Sequence, residues 1–141
     1  MAVLTLTQEI ERPVADVFAT VAHVGDFASW NPTITTSRQL VPGEPANGVR
    51  SEWHLKGFGT VVEELQEFEP NRRLRIVPIM RTLGGGHRFT FTDRGDHTRV
   101  DHELEMLPKG IFKLMTPMMT RTGRKNLAAT ADALKRYLEH H

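Results

Sequence analysis

The sequence predicts an α+β domain in which a curled antiparallel sheet wraps one long C-terminal helix around an internal cavity. Three observations carry this expectation. Apolar and polar residues alternate with period two through most of residues 34–106, interrupted by short turn-rich stretches. After Pro108-Lys109-Gly110 the period changes to 3.6 and stays there to Tyr137. Strands joined by tight turns must also pair antiparallel, because parallel neighbours need crossovers of about a dozen residues or more.

The elements follow in order. Residues 3–11 alternate Val3, Thr5 and Thr7 against Leu4, Leu6, Gln8 and Ile10, and read as a strand closed by Arg12-Pro13. Pro13 suits the first turn of a helix, and Val14, Val17, Phe18 and Val21 then recur at helical spacing. A second short helix spans Gly25 to Trp30 and stops at Asn31-Pro32. Ile34–Val41 is a strand, and residues 42–48 form a Pro/Gly-rich loop. Val49, Ser51, Trp53 and Leu55 then alternate with Arg50, Glu52 and His54, which sends Trp53 inward and His54 to solvent. Lys56-Gly57-Phe58-Gly59 makes a turn, and Thr60–Glu69 pairs with Arg73–Ile79 around Pro70-Asn71. Leu83-Gly84-Gly85-Gly86 reads as a flexible connector before a last hairpin, His87–Thr92 and His97–Met106. The closing helix either kinks at Pro117 or starts there, with Thr116 as its N-cap after a shorter helical piece.

These elements fit one domain over residues 1–137; the remaining Leu138-Glu139-His140-His141 reads as an expression-tag remnant. The absence of cysteine excludes disulfides, thiolate nucleophiles and Cys-ligated zinc, and suits a cytoplasmic location. No signal peptide or transmembrane segment is expected. Net charge is only +1, but Lys109–Tyr137 carries +6 and the rest of the chain −5. That basic helix either meets a membrane surface, an RNA or an acidic partner, or is a solvated face complementing the acidic strands.

The pattern resembles the START-like superfamily, also called the Bet v 1-like or polyketide cyclase/dehydrase and lipid-transport group (SRPBCC), with its helix-grip fold. The residues carrying the resemblance are Arg12-Pro13-Val14-Ala15-Asp16-Val17-Phe18, Phe27-Ala28-Ser29-Trp30-Asn31-Pro32, Gly57-Phe58-Gly59-Thr60-Val61-Val62-Glu63-Glu64, Glu69-Pro70-Asn71-Arg72-Arg73-Leu74 and the helix from Asn126 to Tyr137. The resemblance implies a seven-stranded curved sheet with two short helices after its first strand. It further implies a cavity whose entrance lies beside Trp30-Asn31-Pro32.

The last hairpin holds the sharpest polar feature. A two-residue turn at Arg94-Gly95 would set Phe89 opposite Val100, Arg88 opposite Asp101 and His87 opposite His102, with both imidazoles inward. These histidines are the candidate catalytic residues, able to polarise a carbonyl or hydroxyl or to exchange protons near neutral pH. The plainer alternative is a hydrogen-bonded pair without chemistry. No metal site is expected, because Asp101 and Glu103 point outward, and no cofactor is implied: Gly84-Gly85-Gly86 lacks the surroundings of a phosphate loop. Candidate ligand-contacting residues are Trp30, Trp53, Phe58, Phe89, Phe91, Met106, Met115, Met119 and Asn126. Thr122 and Asn126 continue the inward helical stripe with polar atoms. Arg81 either reaches in to neutralise a carboxylate or stays in solvent. Glu63, Glu64, Glu67 and Glu69 read as a solvated edge.

Three functions fit. One is binding or transport of a small hydrophobic or aromatic ligand, lipid or polyketide-like. Another is a cyclase or dehydratase in which the histidines move protons, so whether the chain is an enzyme stays open. The last is an interaction module built on the basic helix. No nucleic-acid partner is expected, and the oligomeric state is a monomer or weak dimer.

Overall fold

A computed structural model describes residues 2–80 and 83–140, so Arg81 lies outside the described residues. The order is β1 (Ala2–Ile10), α1 (Val14–Ala22), a 3₁₀ segment (Val24–Ser29), β2 (Ile34–Gln39), β3 (Arg50–Leu55), β4 (Gly59–Glu69), β5 (Arg73–Pro78), β6 (Leu83–Asp93), β7 (Thr98–Pro108), a second 3₁₀ segment (Gly110–Met115) and α2 (Thr116–Glu139). The two short helices expected after the first strand are therefore one α-helix and one 3₁₀ segment.

All strands join one antiparallel seven-stranded sheet in the order β1-β7-β6-β5-β4-β3-β2. This is a meander whose first strand returns to pair with the last, and α2 lies across its concave face as the helix-grip arrangement requires. The pairings give the sheet two ends. At the rim lie the start of β1, the β3–β4 turn, the end of β5, the end of β7 and the start of α2. At the base, the chain after β1 meets the end of α2: Arg12 Nη1 donates to Leu138 O at 2.7 Å, and Glu11 N donates to Glu139 Oε2 at 2.9 Å. The folded helix thus continues past Tyr137, and Leu138 is buried in the core.

Alternation along β4, β5 and β7 puts Leu65, Leu74, Ile76 and Val100 inside, against Leu134 and Leu138 of α2. Burial of such side chains contributes about 1.5–3 kcal/mol each. The outer face is stitched by ions instead. Arg88 reaches Glu67, Glu103 and Glu105, and Arg75 reaches Glu67 and Glu105.

Two local expectations change. Leu83-Gly84-Gly85-Gly86 is no connector, because β6 begins there and pairs with β7 along the whole glycine run. Gly85 and Gly86 have φ of 94° and 128°, and a Cβ on them would sit 2.3 Å from Glu105 O and 2.2 Å from Ile76 O. Only glycine allows backbones that close. The α2 start resolves in favour of a separate short piece before the helix. Thr116 is its first residue rather than its N-cap, and its hydroxyl donates to Lys113 O at 2.7 Å.

Candidate functional site

The β6–β7 turn contains four residues, Arg94–His97, closed by Arg94 N donating to His97 O at 3.0 Å. The register is therefore two residues away from the one a two-residue turn would give. Phe89 faces His102, Phe91 faces Val100 and His87 faces Leu104. Arg88 faces Glu103, not Asp101. A slip of two leaves every side chain on its expected face, because the strand period is two. The histidines become diagonal neighbours and still meet, with Nδ1 of His87 2.8 Å from Nε2 of His102.

Their surroundings are aromatic. The His102 ring stacks on Phe89 with centroids 4.0 Å apart, and Trp53 meets His87 edge-on at 6.4 Å. Trp53 stacks on Phe27 at 4.8 Å, Phe27 packs on Trp30 at 4.6 Å, and Trp53 Nε1 donates to Val24 O at 2.8 Å. Burial therefore disfavours the imidazolium. It lowers His87 to about 4, and holds His102 well below the usual histidine range, with the neighbouring His87 adding to the effect. Both rings are neutral at neutral pH, one donating to the other. By surface area His87 is half-buried, whereas His102 is 2% exposed.

Glu63 is the residue that the sequence reading missed. It lies on β4 between the inward Val61 and Leu65, is 5% exposed, and stands opposite Ser51 of β3. Desolvation raises its pKa to about 8, so it carries a proton at neutral pH. Glu63 Oε2, Ser51 Oγ and Trp30 Nε1 are buried without a hydrogen-bond partner. The signal was available in the sequence. The alternation Val61-Glu63-Leu65 assigns Glu63 inward, but its position in a run of glutamates suggested a solvated edge.

The remaining candidates divide. Trp30, Trp53, Phe89, Phe91 and Met106 are buried on the concave side as expected. Phe58 is exposed at the tip of the β3–β4 turn and Met115 is exposed in the 3₁₀ segment, so neither is an interior wall. The 3₁₀ segment has three residues per turn, and the helical phase resets where α2 begins. The buried stripe of α2 starts at Gly123 and continues through Leu127, Thr130, Ala131, Leu134 and Leu138. Thr122 is accordingly exposed, and Asn126 and Met119 are half-buried at the margin. Gly123 lets the helix close on β7: a Cβ there would lie 2.7 Å from Cε of Met106. The inward polar group of α2 is Thr130, whose hydroxyl accepts from Asn31 Nδ2 at 3.1 Å. That bond ties the Trp30-Asn31 corner to the helix.

Many of the inward side chains of the concave face pack into two apolar clusters. Two surface depressions lie outside the grip. One of about 280 Å³ is bordered by α1 and the end of α2, and one of about 400 Å³ touches Phe91 alone among the candidate residues. Among the described residues, no group of three or more His, Asp or Glu side chains is placed to hold a metal ion. None of the described helices is long and apolar enough to cross a membrane.

A family model described as polyketide cyclase / dehydrase and lipid transport matches residues 1–139. The chain belongs to this family. Solved structures share the fold: a START superfamily protein from Mycobacterium smegmatis is 18% identical, with TM-score 0.79 over 98% of this chain and 97% of that one. A protein from Thermobifida fusca is 21% identical, with TM-score 0.75 over 100% and 97%. The Zhui aromatase/cyclase from Streptomyces sp. R1128 is 14% identical, with TM-score 0.76 over 98% and 93%. At such identities the likeness is one of fold alone. No curated protein matches the sequence.

Proposed function

We propose that this chain binds or carries a small, flat, mostly apolar molecule, lipid or polyketide-like, with one or two hydrogen-bonding atoms. It would lie between the sheet and α2, its polar end toward Glu63, Ser51 and the His87–His102 pair. The observation that carries the reading is the unpartnered carboxyl oxygen of Glu63 facing an unpartnered Ser51 in an apolar interior. Leaving such a group unpaired costs about 1–3 kcal/mol, so it points to a ligand rather than to stability. The first turns of α2, which precede its buried stripe, are the element that would yield to admit the ligand. Native mass spectrometry of the purified protein, followed by thermal-shift titration with the molecule released, tests it. A defined added mass whose stabilisation weakens in Glu63→Gln supports the reading. Absence of any bound or titratable apolar molecule in both proteins defeats it.

A second reading is favoured by the protonation states. A protonated carboxyl and neutral imidazoles on one concave face are an acid and a base ready together at neutral pH. In a polyketide cyclase or dehydrase, the activities named in the family's description, they would move protons on a folded polyketone. Replacing His87 and His102 by Phe should then abolish turnover while binding persists, whereas a carrier keeps its function with altered affinity.

A further inference from the structure

The rim end of the molecule is both apolar and basic. In the 3₁₀ segment Ile111 is 79% and Leu114 86% exposed, and Met118 in the first turn of α2 is 56% exposed. Phe58, on the β3–β4 turn at the same end, is 63% exposed. Single exposed apolar side chains are ordinary on a protein surface, but large ones gathered at one end mark an interaction site. The charges nearest them in sequence are mostly of one sign. Lys56, Lys109 and Lys113 flank these side chains, Arg121, Arg124 and Lys125 follow on α2, and no Asp or Glu occurs from Leu107 to Ala131.

We propose that the rim docks on an anionic lipid surface, with Ile111, Leu114 and Met118 entering the headgroup boundary and the basic side chains meeting lipid phosphates and carboxylates. Exposed apolar tips followed by a run of lysine and arginine are the composition that binds such an interface. A second copy fits less well, since a self-complementary contact would press two basic rims together. The docked orientation points the start of α2 and the β3–β4 turn at the membrane. This surface uses none of the polar side chains of the ligand assignment (Glu63, Ser51, His87 and His102), although both involve the start of α2.

The test is cosedimentation of the purified protein with phosphatidylcholine/phosphatidylserine vesicles and with phosphatidylcholine vesicles alone. The protein should partition onto the mixed vesicles only, and lose most of that binding as salt rises from about 0.1 M to about 1 M. Ile111→Ser combined with Leu114→Ser should lower partitioning by about tenfold or more with an unchanged melting temperature, because both side chains are already in solvent. Lys109→Glu with Lys113→Glu should lower it similarly, each basic group near the surface being worth about fivefold. Glu63→Gln should bind vesicles like the wild type, which separates this surface from the ligand site. The idea fails if the wild type ignores mixed vesicles, binds pure phosphatidylcholine equally, or binds as well after the Ile111/Leu114 change. It fails too if those substitutions instead dissolve a dimer, or abolish binding to polyglutamate or RNA, without any vesicle binding to lose.

Discussion

Glu63 makes the pH dependence of stability a direct test of the interior. Its pKa is 4.5 when free and about 8 in the fold, so the folded state holds a proton that the unfolded chain gives up. The resulting penalty is absent below pH 4.5, grows as pH rises and levels off above about 8. His87 acts with the opposite sign. Its pKa falls from 6.5 to about 4, so the stability tied to its neutral form is complete above 6.5 and lost as pH falls towards 4. His102 shifts in the same direction. Two histidines outweigh one carboxyl on the acid side, so stability should rise to a maximum near pH 6.5 and then decline. Between pH 6.5 and 8 the decline from Glu63 is about 2 kcal/mol, at about 1.4 kcal/mol per pH unit. For a domain of this size that is roughly 5–10 °C in Tm. His97, raised by its exposed partner Asp96, loses its contribution in the same direction, so the informative quantity is the difference between wild type and Glu63→Gln. Calorimetry from about pH 5 to 9 should show Tm of the wild type falling above 6.5 distinctly more steeply than that of Glu63→Gln. Parallel curves for the two proteins would refute a buried protonated Glu63.

Further outcomes follow from single contacts. Imidazole ¹⁵N shifts of His87 should report a neutral ring down to about pH 5, and His102 should stay neutral well below the usual histidine range; a normal titration of either would contradict the buried pair. Gly86→Ala should destabilise by more than about 2 kcal/mol in denaturant unfolding, because its Cβ would meet Ile76 O at 2.2 Å with φ at 128°. Gly48→Ala, with φ 89° and open space around its Cβ, should cost only about 1 kcal/mol, from the backbone alone. Thr130→Val keeps the shape but leaves Asn31 Nδ2 unpaired in the core, and should cost about 1–3 kcal/mol. An unchanged denaturation midpoint would mean that the Asn31–Thr130 bond does not anchor the loop to the helix.

Local pattern was enough to read the architecture. A period-two stretch punctuated by tight turns, followed by one amphipathic helix, admits little besides a curled antiparallel meander gripping that helix. Face assignment survived even where register did not: His87, Phe89, Phe91 and His102 all point inward although the β6–β7 turn is two residues longer than expected. Alternation alone likewise sorted Trp53 from His54, and it would have sorted Glu63 had its charge not been weighed above its position.

Tertiary structure decided the rest, because the deciding quantities are distances between segments far apart in sequence. The glycine run is a strand because two neighbouring backbones approach it too closely for any Cβ. The phase of α2 is set where a 3₁₀ segment hands over to an α-helix, and this turns Thr122 outward and brings Thr130 to Asn31. The protonation states of Glu63, His87 and His102 come from desolvation, which depends on how many elements close over a side chain. Sequence indicates which residues face inward, but only the packed fold determines how dry the interior is and which polar atoms remain there without a partner.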